Sequence, residues 1–314
     1  VIPAAGSRLR RAYVLITAAN VVGGLSFVGQ KLALEGLPPA TVTLLRNLVA
    51  IALLGVLLVR ARARLSEWTR AELGRAALIG VLAYAAPLLL GIWGVQRSSA
   101  ANASILVLVE PCAILLLSWL LLRERLGHAQ IAGVGLGLVG ALCVVLEGGS
   151  LRHLFAGTHL AGNAMLALHA FLWGLYSPLA KPLAGRRPAA EITFCSMLFA
   201  LCVLVPASLG ELARLDWGAV PLAAWGWTLA LGIFVSHLGT LWWVQALEVL
   251  PASHVAPFLF LQPLVGVLVG IALLGERLSP AAAIGCALIA GGVALCLWPA
   301  RASAARALEG ERLP

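Results

Sequence analysis

Glu110 stands in the stretch Leu106-Val107-Leu108-Val109-Glu110-Pro111-Cys112, a carboxylate inside an otherwise apolar run. A carboxyl group with hydrocarbon on both sides is kept for a partner, a substrate or a proton, because charge in that setting is costly. Pro111 brings no N–H and crowds the preceding turn, so it can expose a backbone carbonyl beside the acid. Further along, His169, Trp173 and Tyr176 recur at intervals of four and three. That spacing sets a titratable ring and two amphipathic aromatics on one helical face. His237 has Trp242 and Trp243 just beyond it, and Arg46 follows Thr41 and Thr43 inside another apolar run. Three readings of Arg46 stay open: a side chain that snorkels to the interface, a receptor for a substrate carboxylate, or a partner for Glu110. Asn20, Ser26, Gln30, Asn102, His254 and Gln262 add polar groups within apolar runs.

Such a set would hold a planar or apolar solute by broad contact and orient its polar end, with Glu110, His169 and His237 as candidates for carrying a proton. The chemistry of covalent turnover is missing. The sequence has no P-loop, no HExxH, no CxxC and no nucleotide-binding glycine fingerprint, which argues against an ATP-driven pump, a hydrolase, a kinase or a redox enzyme. No cofactor and no metal are expected. The six cysteines are scattered within apolar runs and read as small hydrophobes.

The elements that must position these residues are written in the composition. Of 314 residues, 61% are hydrophobic and 11% charged, against about 25% charged in soluble domains, and the mean hydropathy is +0.98. Most of the chain therefore belongs in lipid. A bilayer-spanning helix needs roughly 20 mostly apolar residues, and ten such runs can be read, at about 13–30, 39–59, 74–95, 99–121, 128–146, 160–180, 190–210, 220–246, 252–274 and 280–298. The first follows Arg8, Arg10 and Arg11 in the manner of a secretion signal, but no small-residue cleavage pattern closes it. Asn20, Gln30 and Lys31 suit a functional first helix better. Trp68 and Trp298, near run ends, read as an interfacial belt.

The net charge of +9 does not imply nucleic acid, because Lys and Arg occur in short clusters between runs and form no basic face. With the N-terminus inside, sixteen of the 22 Lys and Arg residues fall in inner segments and five in outer ones, with Arg46 left within a run. By the positive-inside bias, both termini are expected in the cytoplasm.

The chain also repeats itself. At an offset of 152, Glu110-Pro111 lies over Gln262-Pro263, LLRERL at Leu121–Leu126 over LLGERL at Leu273–Leu278, and Gly133 and Gly140 over Gly285 and Gly292; Trp93 and Gln96 match Trp242 and Gln245 at an offset of 149. Two units follow, residues 1–150 and 151–314. Each holds five runs, an odd number, so the copies must cross the membrane in opposite senses, the inverted-repeat plan of many secondary transporters. The change of Arg123 to Gly275 then removes a positive charge from the copy whose motif faces outside. Gly133 and Gly137 have GxxxG spacing, open to packing within one subunit or to dimerisation; a monomer or weak homodimer is expected.

On the two five-helix halves, the repeated LLxERL endings, Glu110-Pro111, Gln262-Pro263 and the short loops, the sequence over residues 10–299 resembles the drug/metabolite transporter superfamily, in particular its ten-helix EamA-type exporters. The resemblance implies an all-α polytopic protein of the bacterial inner membrane, with helices one to four and six to nine around a central cavity and helices five and ten to the side. It also implies export of small metabolites, amino acids among them. Trp173, Tyr176, Trp242 and Trp243 make the YddG-like branch, which handles aromatic and bulky apolar amino acids, the nearest expectation. The site residues expected to line the cavity are Asn20, Arg46, Trp93, Asn102, Glu110, His169, Trp173, Tyr176, His237, Trp242 and Gln262. Proton coupling and facilitated uniport are both open, export of another small metabolite or drug-like compound is the rival substrate class, and a receptor or structural protein without flux is the rival of another kind.

Overall fold

A computed structural model describes residues 5–63, 65–98, 100–146, 160–274 and 280–310. The protein is an all-α polytopic membrane protein whose helices follow the ten apolar runs. Spans one and two are α1 (Ala5–Ala33) and α2 (Pro39–Arg60). Span three is α3 (Arg70–Leu78) and α4 (Ala86–Gln96), and span four is α5 (Ala100–Leu106) and α6 (Val109–Leu122). Span five is α7 (His128–Leu146), span six is α8 (Leu160–Gly174) and α9 (Tyr176–Ala184), and span seven is α10 (Ala189–Leu212). Span eight is α11 (Leu222–Ala230) and α12 (Thr240–Val249), span nine is α13 (Ala252–Val255) and α14 (Leu261–Leu274), and span ten is α15 (Pro280–Gly310). Among the described residues, five stretches are long and apolar enough to cross a bilayer as single helices, and shorter apolar helices cover Val109–Leu122, His128–Val144 and Ala283–Cys296.

The breaks inside spans have local causes. Pro111 deprives the Val107 carbonyl of its i+4 donor, and Glu110 N–H turns back to that carbonyl at 3.0 Å, which separates α5 from α6. Pro178 does the same to Gly174 and sets the junction between α8 and α9. In span nine, a 3₁₀ stretch, Ala256–Phe260, carries Pro257. Spans three and eight each contain a π-helical stretch, Ile79–Ala85 and Leu231–Gly239, starting at positions that correspond at the 152-residue offset. Wide turns of this kind rarely occur without a functional reason.

The spans pair across the two halves. Span one packs on spans eight and nine, span six on spans three and four, span two on span seven, and span five on span ten. The span five to ten contact is a glycine seam. A Cβ added at Gly133 would lie 2.6 Å from the Gly292 carbonyl, and one at Gly140 would lie 2.6 Å from that of Gly285. Gly133 matches Gly285 in the repeat and Gly140 matches Gly292, so this crossed pairing is a two-fold relation between antiparallel helices. The glycines let the backbones touch, as close packing in lipid requires. Spans two and seven are antiparallel as well, since the start of α2 meets the end of α10. The repeats are inverted.

Several helices begin directly after proline. Pro38, Pro188 and Pro251 are the N-caps of α2, α10 and α13, and none offers a side-chain cap. The unpaired N–H groups of such a first turn need acceptors from elsewhere. Glutamates at the ends of other spans supply them. Glu211 Oε2 accepts from Thr41 N–H at 2.8 Å, and Glu248 Oε1 accepts from Ala189 N–H at 3.0 Å. Glu124, the acid of LLRERL, takes Ala252 N–H and Ser253 N–H on its two oxygens at 2.9 Å each. Lys181 does the converse at a helix C-terminus, donating from Nζ to the Leu247 and Leu250 carbonyls at 2.7 and 2.8 Å. Each contact also sets a charge against the helix dipole that favours it.

Arg123, just before Glu124, ends α6 in the left-handed conformation, φ 54° and ψ 32°. Glycine is the residue that this backbone favours. The matching residue in the second copy is Gly275, and the Gly275 to Leu278 motif lies outside the described residues.

Two outcomes follow for stability. Arg123→Gly is expected to raise it, by up to about 1 kcal/mol, and Glu124→Ala to lower it by about 1–2 kcal/mol. Thermal unfolding of the purified full-length variants in one detergent, monitored by tryptophan fluorescence, measures both. A lower melting temperature for Arg123→Gly would show that the arginine side chain matters more there than the backbone strain.

Candidate functional site

The two π stretches and span two meet at the middle of the bundle. Arg46, on α2, is 7% exposed and donates from Nε to the Ser236 hydroxyl at 2.8 Å. Ser236 and His237 lie in the π stretch of span eight and Tyr84 in that of span three. Tyr84 lies beside both Arg46 and Ser236. Its ring stands edge-on to Trp173 at 5.8 Å between centroids, and Trp173 is in turn 6.2 Å from Tyr176 and 6.5 Å from His169. Arg46, Tyr84, Ser236, Trp173, Tyr176 and His169 are thus one connected group, drawn from spans two, three, six and eight.

Two polar atoms near this group are buried without a protein partner among the described residues: the hydroxyl of Tyr176 and Nδ1 of His237. Buried polar groups are nearly always hydrogen-bonded, so an unpaired cluster calls for a functional explanation. His169 is satisfied differently, with Nδ1 2.6 Å from the Pro87 carbonyl. That ring fits only because position 91 is glycine, where a Cβ would come 2.7 Å from His169 Nδ1.

The sequence expectations divide around this centre. The snorkelling reading of Arg46 does not hold, since the guanidinium is buried and bonded to Ser236. Nor does Arg46 pair with Glu110, which makes no side-chain hydrogen bond or ion pair among the described residues and is half-buried beside the break in span four. Gln262 donates to Asn20 Oδ1 at 3.1 Å, and Asn20 donates to the Ile16 carbonyl at 2.8 Å, which ties span nine to span one. Asn102 belongs to a separate polar knot, donating to Ser98 Oγ and to Asn163 Oδ1 at 3.1 Å each, with Ser98 also donating to Asn163. Both paired tryptophans are partly buried, and Trp243 donates to Ser177 Oγ at 3.0 Å. Trp93 is partly buried against the core. Trp68 is no interfacial belt residue: it is 7% exposed, donates to Glu191 Oε2 at 2.8 Å and lies under the Arg187 guanidinium, which also binds Glu72 at 3.0 Å.

Tyr84 and Ser236 were not legible as site residues. A tyrosine and a serine among apolar neighbours are ordinary, and the faint signal was that Tyr84 and Ser236 correspond at the repeat offset. Two surface grooves, of about 450 Å³ at Pro38, Glu211 and Asp216 and about 650 Å³ at Trp119, Arg123 and Ile131, contain no residue of this centre.

The arrangement offers a cation, phenolic hydroxyls and aromatic faces. Gly91→Ala is expected to displace the His169 ring, and with it the edge of Trp173, while the fold survives. A shift in tryptophan emission without loss of helical circular dichroism is the expected readout; an unchanged emission spectrum would mean that the ring cluster is not tensioned through position 91.

Comparison with known proteins gives the setting. The model of the EamA-like transporter family matches twice, over residues 10–146 and 160–298. A protein of Streptantibioticus cattleyicolor described as a probable terminal-alkyne amino-acid exporter is 29% identical over 297 residues, covering 92% of this chain and 94% of that one. The uncharacterized transporter YetK of Bacillus subtilis is 27% identical over 287 residues, with 90% and 85% covered. A solved crystal structure, 22% identical, superposes with a TM-score of 0.75 over 92% of this chain and 98% of its own, and so shares the fold. Matched along both of its halves, the chain belongs to the EamA-like transporter family, and it is a membrane transporter, not an enzyme.

Proposed function

We propose that the protein exports amino acids, with a preference for aromatic or bulky apolar ones, by alternating access, with one five-helix unit in residues 1–150 and the other in 151–314. The observation that carries this reading is the central group: a buried cation and the phenols of Tyr84 and Tyr176 on either side of Trp173, at the π stretches where spans from both halves meet. Interrupted helices at the repeat interface are where secondary transporters hold their substrates. A relative described as an amino-acid exporter, matched along nearly its whole length, supports the substrate class.

The substrate enters from the cytoplasm, its ring lies against Trp173 and Tyr176, and two groups of helices, each drawn from both halves, rock around it. The end of the bundle that carries Arg60, Arg123 and Arg187 faces the cytoplasm with both termini, as its excess of Lys and Arg favours. Glu110 carries a proton, as an acid in lipid without a protein partner at a helix break is suited to do. The membrane is the bacterial inner membrane.

Reconstitution of the full chain in sealed vesicles, with a panel of labelled amino acids and an imposed pH gradient, tests the whole. Flux is expected for phenylalanine, tryptophan or leucine, with gradient stimulation that Glu110→Gln abolishes. Trp173→Ala is expected to lower flux of aromatic substrates on the order of tenfold. Flux that is equal with and without the gradient would establish facilitated uniport. Absence of flux for the entire panel, from folded protein in known orientation, would overturn the amino-acid assignment. Single cysteines placed at Arg187 and Asp216 are expected to be labelled from the cytoplasmic and the outer side respectively.

A further inference from the structure

We infer that Arg46 is a carboxylate receptor, and that the protein selects its substrates by a free carboxylate and not by an amine. The inference rests on the transport reading for its setting, but it concerns recognition and can fail or stand by itself.

An arginine sealed within a membrane protein is costly unless it is paired. The structure gives Arg46 a single hydrogen bond, from Nε to Ser236, and no carboxylate partner among the described residues. Ser236 is itself 1% exposed and holds the guanidinium from one edge. With Nε engaged, the two terminal nitrogens remain. They carry parallel N–H bonds in one plane, the arrangement that matches the two oxygens of a carboxylate.

The neighbours fit the same ligand. The Tyr84 hydroxyl is buried beside Arg46, with the Ser236 hydroxyl as its nearest polar neighbour. A phenol there donates to a carboxylate oxygen. Among the described residues no acid is bonded to this group to receive an ammonium: Glu110 makes no bond to Arg46, and Glu124, Glu211 and Glu248 are committed to helix N-termini. A lone cation also suits a monoanion better than a phosphate dianion. Beyond the carboxylate, the edge-on pair of Tyr84 and Trp173 offers apolar surface for the rest of the molecule.

The test uses the full chain and labelled 3-phenylpropionate, which has the carboxylate and ring but no amine, in an equilibrium binding assay. Phenylalanine, phenylalaninamide and phenethylamine are the competitors. Wild-type protein is expected to bind the probe and to be competed by phenylalanine, with the amide and the amine weaker by at least about tenfold. Arg46→Lys, which keeps the charge and loses the planar fork, and Tyr84→Phe are each expected to weaken probe binding severalfold, and Arg46→Gln to abolish it. Competition by the amide or amine equal to that by phenylalanine overturns the inference, and this needs no variant that might misfold. Undiminished probe binding by folded Arg46→Gln overturns it too. If the probe binds through Arg46 while no amino acid is transported, the inference stands and the exporter reading falls; if amino acids are transported while the amide competes equally, the reverse holds.

Discussion

An α-helix that begins at a proline enters the membrane with backbone donors its own first residues do not cap, and lipid offers nothing to satisfy them. Four helices among the described residues follow a proline N-cap, and three of them, α2, α10 and α13, borrow a carboxylate from the far end of another span. The glutamates are polar enough to sit at the membrane boundary and long enough to reach across it. Because each takes backbone N–H groups, it fixes the height and the tilt of its partner helix as well as its position. The ends of spans two, seven and nine are set by these contacts, and the middle of the bundle is set by its ends.

That division leaves the middle free to be irregular. Backbone interruptions in spans three, four, six, eight and nine are tolerated because they are enclosed by neighbouring helices. The glycine seam does the opposite job at the side, where regular antiparallel helices touch along Gly133, Gly140, Gly285 and Gly292. Rigid contact there and widened turns at the centre put the adaptable backbone beside Arg46 and Tyr84, which a site that must admit and release a solute requires.

How much of this was legible in the residues depends on the kind of interaction. The ten spans were, since hydropathy acts on segments, and so was the inverted repeat, since Glu110-Pro111 and Gln262-Pro263 are uncommon pairs. The cluster of His169, Trp173 and Tyr176 was also legible, because helical spacing puts those rings on one side. The place of Arg46 was not. Snorkelling and burial are both open to a long cation some two turns into a helix, and the choice depends on Ser236, 190 residues away. Arg123 is the instructive case: the sequence shows its charge, and only the backbone shows the left-handed turn that ends α6 there.

The clasp made by Glu124 has a consequence for how this protein records its own constraints. Its two acceptor bonds go to the main chain of Ala252 and Ser253, so they place no demand on which side chains stand there. An interaction of this kind is one-sided in sequence space. The acid is held in place while its partner positions are free to drift, and no pair of residues changes together. Contact inferred from correlated substitution would miss the clasp between the two halves, although it is one of the contacts that fixes how they meet.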